Sequence, residues 1–143
     1  MSSSWTYGVA VEREGDEFRA ICAEAPEAIA FGETEADALR EMAEALKAVV
    51  RGRIQMKLDL VPPKGDPAAP HQIGIPAQLA AKAAVYAAWR ASGLSKVALG
   101  ELLDRREGEV RRILDPDHGT RLDQLEEAAA ALGGRLIVSF EPA

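Results

Sequence analysis

The sequence predicts an α+β protein in two unlike parts: a small βββαβ half, then an all-helical half that closes in one strand. Three observations carry this. Apolar residues alternate from Trp5 to Cys22, they recur at three- and four-residue spacing from Leu39 onward, and a proline-rich interval separates two such regions.

Trp5, Tyr7, Val9 and Val11 alternate with Thr6, Gly8, Ala10 and Glu12, the period of a half-buried strand. Glu14-Gly15-Asp16-Glu17 is a polar turn, after which Phe18 to Cys22 resumes the alternation, so the two runs predict a hairpin. Past Pro26, a short run from Ala28 to Phe31 predicts a third strand ending at Gly32. Thr34 is then placed to cap a helix, with Asp37 in the reciprocal position of a capping box and Glu35 near the positive end of the helix dipole. Leu39, Met42, Ala43, Leu46, Val49 and Val50 form one apolar stripe, while Arg40, Glu41, Glu44 and Lys47 fall on the water side, and the helix is expected to end near Gly52.

Pro62, Pro63, Pro67, Pro70 and Pro76, with Gly65, exclude a continuous helix and mark a linker. Residues 72–75 are apolar enough to return as an edge strand. This divides the chain into 1–66, a linker with edge strand over 67–75, and 76–143. In the last part, Pro76 suits a first helical turn and Leu79, Ala83, Tyr86 and Arg90 lie along one side of an alanine-rich helix that Gly93 stops. Ser95 caps the next helix, with Ala98, Leu99, Leu102 and Leu103 inward; after Asp104-Arg105-Arg106 a second short helix turns Val110, Ile113 and Leu114 inward. A loop from Asp115 to Thr120 leads to a helix over residues 122–132, with Leu125, Ala128, Ala129 and Leu132 inward, which Gly133-Gly134 ends. Residues 135–141 alternate again, as a strand would.

The composition, 48% apolar and 28% charged, is that of a folded globular protein. Residues 1–4 lack a basic and then apolar leader, and no run of about 18 apolar residues occurs, so a soluble, cytoplasmic protein is expected. The net charge of −6 is uneven: residues 1–66 hold 8 Lys+Arg against 13 Asp+Glu, whereas residues 67–143 hold 9 against 10. The second half is therefore near neutral, and its arginines cluster at 105, 106, 111, 112 and 121, a patch that can hold phosphates whatever the whole-chain charge. Cys22, the single cysteine, lies in an alternating apolar stretch and reads as a packed strand residue. His71 and His118 stand far apart with no third ligand at metal spacing, and the acids Glu12, Asp16, Glu24, Glu27 and Glu33 are not spaced to share a face. Neither a metal site, a cofactor nor an enzymatic centre is expected.

Two short helices joined by about three residues make a helix-turn-helix unit, whose second helix enters the major groove of DNA. Its outward residues here are Arg106, Glu107, Gly108, Glu109, Arg111 and Arg112. Arginine reads a guanine edge with two hydrogen bonds and a carboxylate accepts from the cytosine amino group, so the mixed set suits base reading. Lys96 and Arg105 are expected to anchor phosphates. The final strand, exposed in a helical region, is expected to pair with its copy in a second chain through Leu136, Val138 and Phe140, giving a two-fold dimer suited to a palindromic site.

The residues Glu17-Phe18, Ala25-Pro26-Glu27-Ala28 and Gly32-Glu33-Thr34-Glu35-Ala36-Asp37-Ala38 resemble the HicB antitoxin family. In the second half the resemblance extends through Ile75-Pro76, Lys82-Ala83, Leu94-Ser95, Leu99, Leu103, Val110, Arg112 and Leu114, then His118 to Asp123 and Ala131-Leu132-Gly133, as in members that end in a helix-turn-helix. It implies a partial ribonuclease-H-like first domain without nuclease activity that covers a small messenger-RNA-cleaving toxin of the HicA kind, and repression of the shared operon by the second. The toxin surface is expected at the hairpin and third strand, through Phe18, Ala25, Pro26, Glu27 and Phe31; the acidic first half would steer a basic partner. Relatives often carry Gln at Lys96, Ala at Gly100, and Gly plus an apolar residue at Asp104 and Arg105, which with Gly108 predicts a looser unit than usual. Two other classes stay open: a free-standing regulator whose first domain senses something else, and an enzyme.

Overall fold

A computed structural model describes residues 4–143; the reading of the N-terminus as leaderless lies mainly on residues 1–3, outside them. Three strands, β1 (Thr6–Glu14), β2 (Glu17–Ile21) and β3 (Ile29–Gly32), precede helix α1 (Glu35–Gln55), and β4 (His71–Gly74) follows it. Helices α2 (Ala77–Ser92), α3 (Lys96–Leu103), α4 (Glu107–Leu114) and α5 (Leu122–Ala131) complete the chain. The sheet is antiparallel throughout, in the order β3-β2-β1-β4, so the expected edge strand does return beside β1, with Tyr7 opposite Ile73.

Alternation decides which face of the sheet α1 covers. Tyr7, Val9, Ala20 and Ala30 share the helix side and are buried against Ala38, Met42, Leu46, Val50 and Ile54, one residue per turn of α1. Thr34 accepts from the Asp37 amide at 3.1 Å, as expected of a cap. The helix runs past Gly52 to Gln55, because burying Ile54 continues the stripe by a turn and a single glycine costs only about 1 kcal/mol.

The proline-rich interval is bound down. The Glu24 carboxylate accepts from the amides of Lys64 and Gly65 at 2.8 and 3.0 Å, and the chain crosses Gly8 so closely that a Cβ there would lie 2.9 Å from that of Ala69. Helix α2 then serves two buried clusters: Leu79, Ala83 and Tyr86 enter the sheet core, while Val85 enters a second core with Leu99, Val110, Ile113, Leu114, Leu125, Ala128 and Ala129. Polar links add to this junction. Arg51 and Gln55 of α1 both reach Asp117, and Arg90 pairs with Asp59 at 2.8 Å.

Two expectations are corrected. Leu102, read as inward, is 60% exposed, because the short helix α3 turns only Leu99 and Gly100 fully into the core. Residues 135–141 form no strand in the single chain: a strand needs a hydrogen-bonded neighbour, and among the described residues none is offered. Leu136 instead packs on the second core, leaving Val138 and Phe140 in water.

Candidate functional site

The α3–α4 pair is built on a close approach. Ser95 caps α3 by accepting from the Ala98 amide at 3.0 Å, and the helix ends at Asp104, held in the left-handed conformation at φ 53°. The next amide, Arg105, donates back to the Gly100 carbonyl at 2.8 Å. A Cβ on residue 100 would stand 2.6 Å from the Arg105 carbonyl oxygen, so the turn folds onto the helix only because residue 100 is glycine. Gly100 therefore shapes the unit and does not merely loosen it. Gly108 differs, having nothing within 4 Å of its absent Cβ.

Arg105, expected to anchor phosphate, is committed within the chain. Its guanidinium spans Glu109 of α4 and Glu127 of α5, each at 3.1 Å, and those carboxylates raise its pKa above the ordinary guanidinium value. The same pairing occupies Glu109. Glu107, Arg111 and Arg112 are exposed along α4, with Arg111 3.7 Å from Glu107 one turn back, and Arg106 is exposed at the helix start. Among the described residues, Arg106 and Arg112 have no carboxylate within ion-pair distance. The Lys96 ammonium lies 6.0 Å from the Trp89 ring centroid, at the edge of cation–π range.

Behind α4 sits a group that periodicity did not single out. Lys82 of α2 is fully buried, and its ammonium donates to the carbonyls of Arg112 and Ile113, at 2.8 and 2.9 Å, and to the Thr120 hydroxyl. Its three donors thus meet three acceptors, two of them carbonyls at the negative end of α4. Burial pushes its pKa down from 10.5 to about 8, opposed by the nearby Asp115. The pairing ties α4 to α2, the helix that also closes the sheet core.

The opposite face of the sheet lies largely open. Ile29 and Phe31 project there from β3, each 46% exposed, beside Arg19 and Ile21 of β2. Of the residues expected to meet a toxin, Phe31 is thus displayed, and Pro26 and Glu27 are exposed in the preceding loop. One reading is corrected here: Ala25 is fully buried in the single chain. Phe18 is half-buried and projects to the helix side, where it packs on the core beneath Arg13. Glu27 holds Arg53 with two hydrogen bonds of 2.7 and 2.9 Å, which lowers its pKa below the usual carboxylate range. Along the outer edge of β3 runs a groove of about 760 Å³, walled on its far side by Asp37, Arg40, Glu41 and Glu44 of α1. Near the other end of the molecule a second groove, about 640 Å³, lies between residues 135–141 and the alanine face of α2.

The sequence matches no established family profile. It does align with Antitoxin HicB of Pseudomonas fluorescens (strain Pf0-1), at 28% identity over 144 residues covering 99% of this chain and 98% of that protein. Over almost its whole length the chain is similar to HicB antitoxins. Antitoxin HicB 2 of Photorhabdus laumondii is 28% identical over 95% of this chain and 96% of its own length, and Antitoxin HicB 1 of the same strain 29% identical over 81% and 74%. Likeness to HicB antitoxins thus runs through both cores and is not confined to the helix pair. Among the described residues no three His, Cys, Asp or Glu side chains gather as a metal would require, and no helix is long and apolar enough to cross a membrane.

Proposed function

We propose that this chain is an antitoxin that binds and neutralises a HicA-like, messenger-RNA-cleaving toxin through its sheet half and represses its own operon through the helix pair. The observation that carries the reading is alignment, over almost the entire chain, with proteins named Antitoxin HicB. The role is that of a binding protein, not an enzyme, and the division of labour follows the break near residue 76. Arg106, Glu107, Arg111 and Arg112 are the DNA-facing set, with Lys96 beside them; Arg105 and Glu109 hold the turn and α5 in place. Leu136, Val138 and Phe140 supply a homodimer contact in which each tail finds the strand partner that it lacks alone.

Co-expression with a HicA-like toxin tests the first half: the pair is expected to co-purify and toxicity to be relieved. Persistent toxicity without co-purification leaves the free-standing regulator. For the second half, Arg111→Ala with Arg112→Ala is expected to weaken binding to the operon's promoter and to lower the slope of log K against log salt by about 0.9 for each phosphate no longer neutralised. An unchanged slope moves the DNA-facing surface elsewhere.

A further inference from the structure

The two edges of the sheet are guarded very differently. At β4, Pro70 precedes the strand, and the Gln72 side-chain Nε2 donates to the Asp66 carbonyl at 2.7 Å, folding the linker across that end. β3 is as short as β4 but lacks proline and charge. Its four residues, Ile29-Ala30-Phe31-Gly32, pair with β2 on one side only. Its outward amides and carbonyls face the groove walled by α1, and two large apolar side chains stand exposed on the same strand.

We propose that the partner of the sheet half adds an extended segment to β3 as a fifth, edge-to-edge strand lying in this groove. The inference rests on the antitoxin reading and gives its mode of recognition. Strand geometry then dictates the segment's chemistry. Successive side chains point to opposite faces, so one set meets Asp37, Glu41 and Glu44 on the α1 side and the other meets Ile29 and Phe31 on the open face. The segment is therefore four or five residues long and alternates basic with apolar side chains. Asp37 and Glu44 are paired with Arg40 and Lys47 on the same helix, so Glu41 is the carboxylate most open to an incoming cation. The net −5 of residues 1–66 favours encounter with such a partner.

Residue-resolved amide exchange on the full chain, alone and co-purified with a HicA-like toxin, tests the proposal. The outward amides of β3 are expected to slow by roughly tenfold or more in the complex. Glu41→Lys combined with Glu44→Lys is expected to weaken the complex by about tenfold at low salt and by less at high salt, the far-ultraviolet spectrum staying unchanged. A complex that forms and protects other segments while β3 exchanges as in the free chain overturns strand addition and leaves the antitoxin reading standing. Absence of any complex removes both.

Discussion

The sheet half and the helical half reach stability by different routes. Eighteen buried residues make up the core around the sheet and α1, nearly all apolar; the second core has eight. A large apolar core sets its geometry through the summed packing of many side chains, so apolar exchanges that keep volume and pattern are tolerated. A small one leaves its geometry to a few directed interactions. In the second half these are the Lys82 ammonium on the end of α4, the bare Cα of Gly100 under the turn, and the Arg105 fork between Glu109 and Glu127. A small helical core can therefore depend more on polar and steric detail than on buried area.

The sharpest way to break this contrast is Lys82→Ala. It strips a donor from two helix-end carbonyls and a hydroxyl and leaves a gap between α2 and α4. A loss of about 2–3 kcal/mol is expected in denaturant titration, with amide exchange accelerating across α4 and the loop to Thr120 far more than across the sheet. Equal acceleration in both halves would mean that the cores do not differ in this way. Gly100→Ala comes next. The added methyl must push the Arg105 carbonyl away, so a loss of about 1–3 kcal/mol and weakened operator binding are expected, despite alanine's better helix propensity. A stabilised variant would show that the turn has room to yield.

The pH dependence of Lys82 sharpens the comparison further. Its folded pKa of about 8 lies below the ordinary 10.5, so between those values the unfolded chain binds more protons than the folded one. The cost of burying the ammonium is fully present below about pH 8 and is relieved as the pH rises toward 10.5. Wild type is thus expected to gain stability relative to Lys82→Met between about pH 7 and about pH 9.5, measured by paired denaturant midpoints; a constant difference would mean that the amine keeps its charge throughout. The smallest expected effect is Gly108→Ala, a gain of about 0.5–1 kcal/mol, since that helical position has open space where the methyl would go. Its operator affinity, measured alongside, reports how closely this part of α4 approaches DNA.

Much of the architecture was legible from spacing. The alternation from Trp5 to Cys22 located the hairpin, and the Thr34 cap located the start of α1 to the residue. The two short helices and the turn between them also lie where the apolar skeleton indicated. Periodicity works because it records which side of an element is dry. It is silent on what a polar residue does once it is carried inside. Lys82 has the look of a solvated residue on an alanine-rich helix, and only the arrival of α4's carbonyl end and Thr120 gives its ammonium somewhere to go. The signal in the sequence was its place among the residues that carry the resemblance to HicB antitoxins. Ala25 likewise looked like part of an exposed loop, and its burial depends on how that loop closes over the core.

From the sequence alone came the α+β class, the order of elements, the break at the prolines and the likeness to antitoxins, all properties encoded by nearest neighbours and by residues one turn or one pleat apart. Tertiary structure decided which charges are free and which are used. Arg105 and Arg106 are adjacent and chemically identical, yet one is bound between two carboxylates and the other stands open at the start of α4, because α5 brings Glu127 to the first and nothing to the second. It also decided that β3 would be the unguarded edge and that residues 135–141 would stay unpaired in a single chain. Both follow from which neighbour each strand meets across the fold, and hydrogen-bond partners distant in the chain leave no mark in local spacing.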